Sequence, residues 1–276
     1  MTEKYAVLRG ITLCYEIHGE GYPVILIHGY AGRKEDWFPQ IPALSSKFKV
    51  ITFDNRNSGK SDHPNKLINI EIFVEDLKNL MDFLKIEKTH IIGRSLGGII
   101  AQKFAISYPK RVAKLILVNT TYSGQMGEAI VKAMVNSTKQ KKEEPVKSYL
   151  DSARFLFHVS FRKQLEADLN RKFYNLFSAN DLIKNSLENQ ITIQDLKNQG
   201  YVFRNLNLFK ELSTIKNPTL LIAASHDRVL PHSQMIEMST KIPNNSLKII
   251  EKAGHGSFFS RAPEINNLIL EFLLEN

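Results

Sequence analysis

The chain has 276 residues, of which 43% are hydrophobic and 24% are charged, and its formal net charge is +9 at pH 7. These values are typical of a globular protein with one large α/β domain or one domain plus an insertion, and no apolar run approaches the ~20 residues that a membrane-spanning helix requires. Lysines are interleaved with acidic residues, as over 139–144, so we interpret the positive charge as a solvated surface rather than a nucleic-acid site.

Two further features bear on location and partners. The first residues lack the apolar core of a secretory signal. Cys14 is the only cysteine, so the chain cannot form an intrachain disulfide, which fits a reducing compartment. We therefore expect a cytoplasmic protein without a nucleic-acid or membrane partner, and the sequence leaves a homodimer open.

The first part of the chain alternates apolar runs with helical patterns. Runs over 5–8 and 11–17, joined at Arg9-Gly10, predict an antiparallel hairpin. The continuous apolar run over 23–27 indicates a central strand that is buried on both faces. The elements predicted next are a helix over 36–47, a strand over 49–53, a helix over 70–84 and a strand from 89 to the turn at 93. A helix that begins at 96 and ends near Tyr108-Pro109 follows, and then a strand over 112–118.

The composition changes after Asn119. From 123 to 213 the helical patterns continue without a convincing strand, which predicts an all-helical insertion. The alternation then resumes with a strand over 218–224, a helix over 232–241, a strand over 247–250 and an amphipathic helix over 263–274. We predict a core formed by 1–122 and 214–276, with a helical cap over 123–213.

This order of elements predicts an α/β fold. Strands that alternate with helices form a mainly parallel sheet with right-handed crossovers and helices on both faces. The eight predicted strands therefore form one mainly parallel sheet, and the helical cap is inserted between two of them.

A single serine lies between a predicted strand and a predicted helix, in the pattern Gly93-x-Ser95-x-Gly97. A strand that turns directly into a helix holds the connecting residue in a strained conformation and exposes its side chain at the carboxyl edge of the sheet. The free N–H groups of the following helix then face any negative charge that forms there. The pattern alone also fits an ordinary glycine-rich turn, but its position favours Ser95 as a nucleophile.

A serine nucleophile needs an imidazole to take its proton and a carboxylate behind the imidazole. Asp227 and His255 each follow a predicted strand, and the order Ser95, Asp227, His255 is that of nucleophile-elbow enzymes. Taken singly, Asp227 could be a turn or helix-capping residue and His255 a surface turn. The loop after Val118 offers no carboxylate, so we assign Asp227 as the acid and His255 as the base.

A second loop supplies candidate donors for an oxyanion. His28-Gly29-Tyr30 follows the central strand over 23–27, where the open sheets of α/β proteins bind ligands. Gly29 permits close approach of the backbone, so the N–H of Tyr30 and the N–H of Leu96 are the predicted oxyanion donors. An ordinary turn at His28-Gly29 is the alternative interpretation.

With these motifs the sequence resembles the α/β-hydrolase fold superfamily, in its branch of small cap-bearing serine hydrolases. The shared motifs occur in the family's order along almost the whole core. They are His28-Gly29, Asp54-x-Arg56-x-x-Gly59-x-Ser61, Gly93-x-Ser95-x-Gly97-Gly98, Tyr108-Pro109-x-Arg111-Val112, Asp227-x-x-x-Pro231 and Gly254-His255.

The resemblance implies a carboxylesterase-like enzyme that acts on small-molecule esters with small to medium hydrophobic acyl groups. It implies no metal and no cofactor, and it places Trp37 and Phe258 as candidate linings of an acyl pocket. Other serine-bearing members cleave carbon–carbon bonds, hydrolyse enol-lactones or form peracids, and these remain alternatives on the same triad. A non-catalytic receptor on this fold is a further alternative.

The sequence departs from the family pattern at two positions. Asn57 stands where the family often has glycine, which we expect to alter the loop but not the chemistry. Arg94 precedes the nucleophile, where an aromatic or small residue is commoner. We interpret Arg94 as a surface residue, and attraction of anionic substrates is the alternative.

Overall fold

A computed structural model describes residues 2–275. The strands of this part of the chain are β1 (Lys4–Leu8), β2 (Ile11–His18), β3 (Pro23–Ile27), β4 (Lys49–Phe53), β5 (Thr89–Arg94), β6 (Val112–Val118), β7 (Thr219–Ala224) and β8 (Asn245–Ile250). They form one eight-stranded sheet in the order β1-β2-β4-β3-β5-β6-β7-β8. The pairs β1–β2 and β2–β4 are antiparallel and the other pairs are parallel, which confirms the predicted α/β fold class.

Helices follow most of the strands. They are α1 (Ile41–Ser45), α2 (Ile70–Phe83), α3 (Leu96–Ser107), α4 (Gly127–Glu143), α5 (Pro145–Leu156), α6 (Val159–Ala167), α7 (Ala179–Glu188), α8 (Ile193–Gly200), α9 (His232–Ser239), α10 (Ser257–Ser260) and α11 (Ala262–Leu274). Within residues 2–275, no helix has the length and apolar character needed to cross a membrane.

The centre of the sheet is buried on both faces, because a central strand such as β3 is apolar over its whole length. Ile25 and Ile27 of β3 point into one core, which the apolar sides of α2, α3 and α9 complete. Val24 and Leu26 point into the opposite core, against α1 and α11. The continuous apolar run over 23–27 is therefore a central strand, as predicted.

The register aligns the carboxyl ends of the central strands. Ile27 at the end of β3 pairs with Gly93 of β5, and Arg94 at the end of β5 pairs with Val118 of β6. The loops that begin at His28, Ser95 and Asn119 therefore leave one edge of the sheet at the same level.

The helices α4–α8 lie between β6 and β7, and four phenylalanines are the largest buried side chains of a cluster formed by α5, α6, α7 and the loop before α7. The buried rings are Phe157, Phe161, Phe173 and Phe177. Phe38 and Phe259 pack against this cluster from the rest of the chain. Most aromatic residues of this segment therefore stabilise the segment itself, and the predicted cap boundaries at 123 and 213 stay a prediction.

The single helix predicted over 36–47 is wrong. The chain instead forms a 3₁₀ turn over Lys34–Trp37 and then the short helix α1. Pro39 and Pro42 explain the break, because proline has no N–H to donate and disfavours a helical conformation at the residue before it. The break leaves Asp36 and Trp37 on a separate turn beside the sheet edge.

Candidate active site

Ser95 connects β5 to α3 in a backbone conformation that few residues adopt. Its φ of 51° and ψ of −122° lie in a region normally occupied by glycine. A Cβ on Gly93 would lie 2.2 Å from the carbonyl oxygen of Gly97, and a Cβ on Gly97 would lie 2.1 Å from that of Ile27. The two flanking glycines are thus required by backbone contacts, as the sequence pattern predicts.

The His28-Gly29-Tyr30 loop lies directly against this turn. A Cβ on Gly29 would be 3.2 Å from the Cβ of Ser95. The neighbouring N–H groups are committed elsewhere, since Gly32 donates to Gly29 O and Ala31 donates to Gln199 Oε1. Among the described residues, the N–H groups of Tyr30 and Leu96 have no acceptor, so both are free to bind an oxyanion.

His28 holds this loop as a neutral side chain. The ring is buried, its Nδ1 lies 2.8 Å from Gly29 O, and its Nε2 accepts a hydrogen bond of 3.0 Å from Asn55 N–H. An acceptor role for Nε2 places the ring proton on Nδ1, which then donates to Gly29 O. Burial lowers the pKa of His28 to about 4, so the ring stays neutral near pH 7.

Asp227 and His255 are hydrogen-bonded to each other, with 2.7 Å between Asp227 Oδ2 and His255 Nδ1. The other carboxylate oxygen of Asp227 accepts from the N–H groups of Val229 and Leu230, at 2.8 and 2.9 Å. The Asp227 side chain is 1% exposed and that of His255 is 9% exposed. This arrangement fixes the carboxylate and directs Nδ1 of the imidazole toward it, which leaves Nε2 for a substrate or a nucleophile.

The glycines on either side of His255 have a packing role. A Cβ on Gly254 would lie 2.6 Å from the carbonyl oxygen of Leu156, and Gly256 N–H donates to the same oxygen at 2.7 Å. The end of α5 therefore passes against the loop that carries His255. Any side chain larger than hydrogen at 254 would push the two apart.

The end of β6 joins the serine turn to the histidine loop. Ser95 N–H donates to Val118 O at 3.0 Å, and the side-chain amide of the next residue, Asn119, donates to His255 O at 2.9 Å. Two adjacent residues thus contact both loops. Within residues 2–275 no hydrogen bond joins the Ser95 hydroxyl to the His255 ring, so the structure brings these residues to one edge without closing that contact.

Arg94 is not the surface residue that we expected. Its side chain is 12% exposed and forms an ion pair with Asp36. The guanidinium carbon lies 4.0 Å from the ring centre of Phe258 and 6.0 Å from that of Trp37. The Arg94 side chain at the end of β5 is accommodated in the interior because one carboxylate and two aromatic rings stabilise its charge there.

Trp37 and Phe258 are buried to 1% and 3% exposure. They belong to the hydrophobic core below the sheet edge, and they flank Arg94. Their assignment to an acyl pocket stays a prediction.

Asp36 and Asn185 are site residues that the sequence did not indicate. Asp36 accepts hydrogen bonds from Arg94, from Arg33 N–H at 3.2 Å and from the Asn185 side chain at 2.8 Å. The same Asn185 accepts from the Arg33 guanidinium at 2.7 Å. These contacts tie α7 to the loop after β3. Asp36 lay inside the wrongly predicted helix, and its partners Arg94 and Asn185 are too distant in sequence to reveal its role.

Asn57 and Gln199 form a second polar contact between the helical segment and the core. Asn57 has a φ of 58°, a left-handed conformation that glycine and asparagine adopt more readily than most residues. Its side chain donates to Asp195 Oδ1 at 2.8 Å. Gln199 donates to Asn57 O at 2.7 Å and to Ser58 Oγ at 2.7 Å.

Three carboxylates in the described part of the chain are close enough to hold a metal ion. Oxygens of Glu3, Glu16 and Glu35 lie within 4.8 Å of one another. The ammonium group of Lys34 contacts all three and lies 3.5 Å from Asp54. A lysine therefore supplies the positive charge that these acids need, so the donor set does not fit a metal.

Comparisons with known proteins agree with the observed fold. A sequence model described as the alpha/beta hydrolase fold matches residues 22–262. A 2-hydroxy-6-oxononadienedioate/2-hydroxy-6-oxononatrienedioate hydrolase from Comamonas testosteroni is 28% identical over 290 residues, which covers 99% of this chain and 96% of that protein.

Two solved structures are similar in fold. The enol-lactonase from Burkholderia xenovorans LB400 superposes with a TM-score of 0.82 at 23% identity, over 99% of this chain and 100% of that chain. A thermophilic esterase from Thermogutta terrifontis, solved with malate bound, superposes with a TM-score of 0.81 at 22% identity, over 99% and 98% of the two chains.

Proposed function

The chain belongs to the alpha/beta hydrolase fold family, and from this premise we propose that it is a serine hydrolase. We propose carboxylic esters with small to medium hydrophobic acyl groups as its substrates, cleaved through an acyl-enzyme on Ser95. The observation that carries the proposal is the 2.7 Å hydrogen bond between Asp227 and His255 at the sheet edge where Ser95 is exposed by its turn.

The proposed reaction begins with attack of Ser95 Oγ on the ester carbonyl carbon. His255 Nε2 takes the hydroxyl proton, and Asp227 holds the opposite ring nitrogen so that the ring keeps the correct tautomer. The alkoxide of the tetrahedral intermediate accepts hydrogen bonds from the N–H groups of Tyr30 and Leu96. His255 then protonates the departing alcohol.

Deacylation repeats these roles with water. His255 removes a proton from water, the hydroxide attacks the acyl carbon, and the carboxylic acid leaves as Ser95 recovers its proton. Leu96 is the first residue of α3, so its N–H group stands at the positive end of the helix dipole. This placement favours negative charge on the substrate oxygen in both tetrahedral intermediates.

Hydrolysis of a carbon–carbon bond is the second candidate. It is favoured by the Comamonas testosteroni relative, which is named as a hydrolase of 2-hydroxy-6-oxononadienedioate and 2-hydroxy-6-oxononatrienedioate and which aligns with 99% of this chain. Such substrates carry carboxylates, whereas the charge of Arg94 is already matched by Asp36. The ester proposal therefore ranks ahead of carbon–carbon hydrolysis.

A panel of p-nitrophenyl esters, from acetate to octanoate, tests the proposal. We expect turnover by the wild-type protein and loss of turnover in Ser95→Ala, which removes one oxygen atom without adding bulk. A fluorophosphonate probe should label the peptide that contains Ser95, identified by mass spectrometry. A 2-hydroxy-6-oxo-dienoate offered in parallel separates the two candidates.

The outcomes are distinct. Turnover of the dienoate with inert esters would replace the first candidate with the second. Equal inactivity of wild type and Ser95→Ala on every substrate, together with no labelling, would favour a non-catalytic receptor.

A further inference from the structure

The loop that supplies one proposed oxyanion donor contains a tight turn with a strained residue. We refer to residues 28–32 as the oxyanion loop. Gly32 N–H donates to Gly29 O at 3.0 Å, which closes a β-turn. The central residues of the turn are Tyr30 and Ala31, of which Ala31 alone has a positive φ, at 56°. This combination is characteristic of a type II turn, in which glycine or asparagine normally occupies the third position because other residues are strained there.

Side chains of the helical segment bind both backbone polar groups of the strained residue. Ala31 N–H donates to Gln199 Oε1 at 3.3 Å, and Ala31 O accepts a hydrogen bond of 2.8 Å from the Asn189 side chain. Gln199 lies in the last turn of α8, and Asn189 directly follows α7. Both helices lie between β6 and β7, so the strained turn is supported from outside the sheet.

The Tyr30 side chain is also bound to α8. Its hydroxyl donates to Leu196 O at 2.7 Å. Its ring packs edge-on against Phe203, with 5.6 Å between the ring centres. The residue whose N–H group we assign as an oxyanion donor is therefore anchored to the helical segment through its own side chain as well as through the next residue, Ala31.

The Gln199 amide has one orientation that satisfies its neighbours. Its Nε2 donates to Asn57 O at 2.7 Å and to Arg56 O at 3.2 Å, and a carbonyl oxygen can only accept. The Nε2 group must therefore face these carbonyls, which directs Oε1 toward the N–H of Ala31. Gln199 is fully buried, so bulk water does not compete for these hydrogen bonds.

We propose that Gln199 and Asn189 are positioning residues for the oxyanion hole, an inference that rests on the proposed hydrolase function. Their hydrogen bonds keep Ala31 in its strained conformation, and that conformation keeps the N–H of Tyr30 beside Ser95. When either hydrogen bond is lost, Ala31 relaxes toward a negative φ and rotates the peptide that follows Tyr30. The donor then loses its fixed position.

The position of the helical segment therefore controls the oxyanion hole. Movement of α8 away from the sheet edge would break the hydrogen bonds at Gln199 and at Leu196 together. The site would then lose an oxyanion donor while Ser95 itself stayed in place. Catalysis is in this way restricted to the state in which the helical segment is packed on the core.

Steady-state kinetics on p-nitrophenyl butyrate test the proposal. Gln199→Met keeps the length of the side chain and removes its polar atoms, and Asn189→Ala removes the hydrogen bond to Ala31 O. We expect kcat to fall about 10-fold in the first variant and about 3-fold in the second, because complete loss of a donor costs roughly 10²–10³. KM should change by less than about 2-fold, since the oxyanion is absent from the ground state.

Asn198→Leu is the matched control. Asn198 precedes Gln199 in α8 and is 1% exposed, and its side-chain amide contacts Pro64 O and Asn65 Oδ1, both at 3.4 Å. The substitution therefore removes a buried amide that packs the same helix on the core without touching the oxyanion loop. We expect an unchanged kcat. Thermal melts of each variant show whether the fold is retained.

A second substitution separates support of the turn from a general structural role. Glycine adopts a φ of 56° without strain, so a turn with Ala31→Gly needs less support. Gln199→Met/Ala31→Gly should regain at least about 3-fold in kcat over Gln199→Met alone. If Gln199 served only to pack α8 on the core, the glycine would restore nothing.

Hydrogen exchange of the Ala31 N–H, followed by NMR, measures the same support without a substrate. Exchange should be at least about 10-fold faster in Gln199→Met than in wild type, and it should be unchanged in Asn198→Leu. Faster exchange in a protein whose wild type hydrolyses no ester would refute the proposed function and support the role of Gln199 in holding the loop.

The opposite result overturns this proposal alone. If wild type hydrolyses the ester and a folded Gln199→Met protein has the kcat of Asn198→Leu, Gln199 does not position the donor and the hydrolase proposal is unaffected. If Gln199→Met does not fold, Asn189→Ala decides, because Asn189 is only half-buried. An unchanged kcat in that variant would then overturn the proposal.

Discussion

A single methyl group at Gly29 tests the proposed oxyanion donors. The Gly29→Ala change places a carbon 3.2 Å from Ser95 Cβ and 3.5 Å from the Arg94 carbonyl oxygen. Ordinary carbon–carbon contacts are ~3.5–4.0 Å, so the loop and the serine turn must separate by about 0.3–0.8 Å. Gly29 does not adopt a positive φ, so the alanine itself introduces no backbone strain.

That displacement is enough to disturb an oxyanion hole. Donors act at about 2.7–3.1 Å from the oxyanion, and loss of one donor costs roughly 10²–10³ in turnover. A partial displacement should therefore lower kcat about 10-fold to 100-fold while KM changes little. The single close contact should cost about 1–2 kcal/mol of unfolding free energy, so the variant should still fold.

Steady-state kinetics on p-nitrophenyl butyrate and urea unfolding measure both quantities. Gly93→Ala is the contrasting variant, because its new Cβ would lie 2.2 Å from a backbone oxygen and 2.6 Å from a backbone carbon of Gly97. We expect that variant to fail to fold. A folded Gly29→Ala protein with wild-type kcat would refute the assignment of Tyr30 N–H as a donor.

Three further predictions follow from buried charges and from the triad. A histidine in the unfolded chain takes up a proton at about pH 6.5, whereas His28 in the folded protein does so at a pKa of about 4. The unfolding free energy should therefore fall by about 2 kcal/mol as the pH falls from 7 to 5. Urea unfolding of His28→Gln should lack that part of the pH dependence. Arg94→Met and Asp36→Asn should each lower the unfolding free energy by about 3 kcal/mol or more in urea, because each change leaves one buried charge unpaired. The double variant should recover part of that loss. Losses that simply add in the double variant would contradict the pairing. Asp227→Asn should lower kcat roughly 10⁴-fold on p-nitrophenyl butyrate with an unchanged melting temperature, and full activity would exclude Asp227 as the acid.

The parts of the fold that could be predicted are those that short-range patterns determine. The apolar run over 23–27 is buried on both faces and the pattern of Gly93, Ser95 and Gly97 reflects backbone contacts at the turn itself. The mainly parallel sheet also followed, because alternation of strands and helices restricts the topology.

Features that depend on distant partners could not be predicted. Arg94 looked like a solvated cation because its partner Asp36 is far away in sequence and lay in a segment mistaken for helix. The two prolines at 39 and 42 were the available signal for the break. The role of Asn185 required the position of α7 over the sheet edge, which no local pattern contains.

The strained conformation at Ser95 creates a trade-off between folding stability and catalytic activity. Glycine is the residue best suited to a φ of 51° with a ψ of −122°. The unfolding free energy of Ser95→Gly should therefore exceed that of wild type by about 1–3 kcal/mol. Selection for thermal robustness alone would consequently drive this position toward an inert protein. A library screened only for survival on heating should enrich that glycine, whereas a screen that also demands turnover should eliminate it.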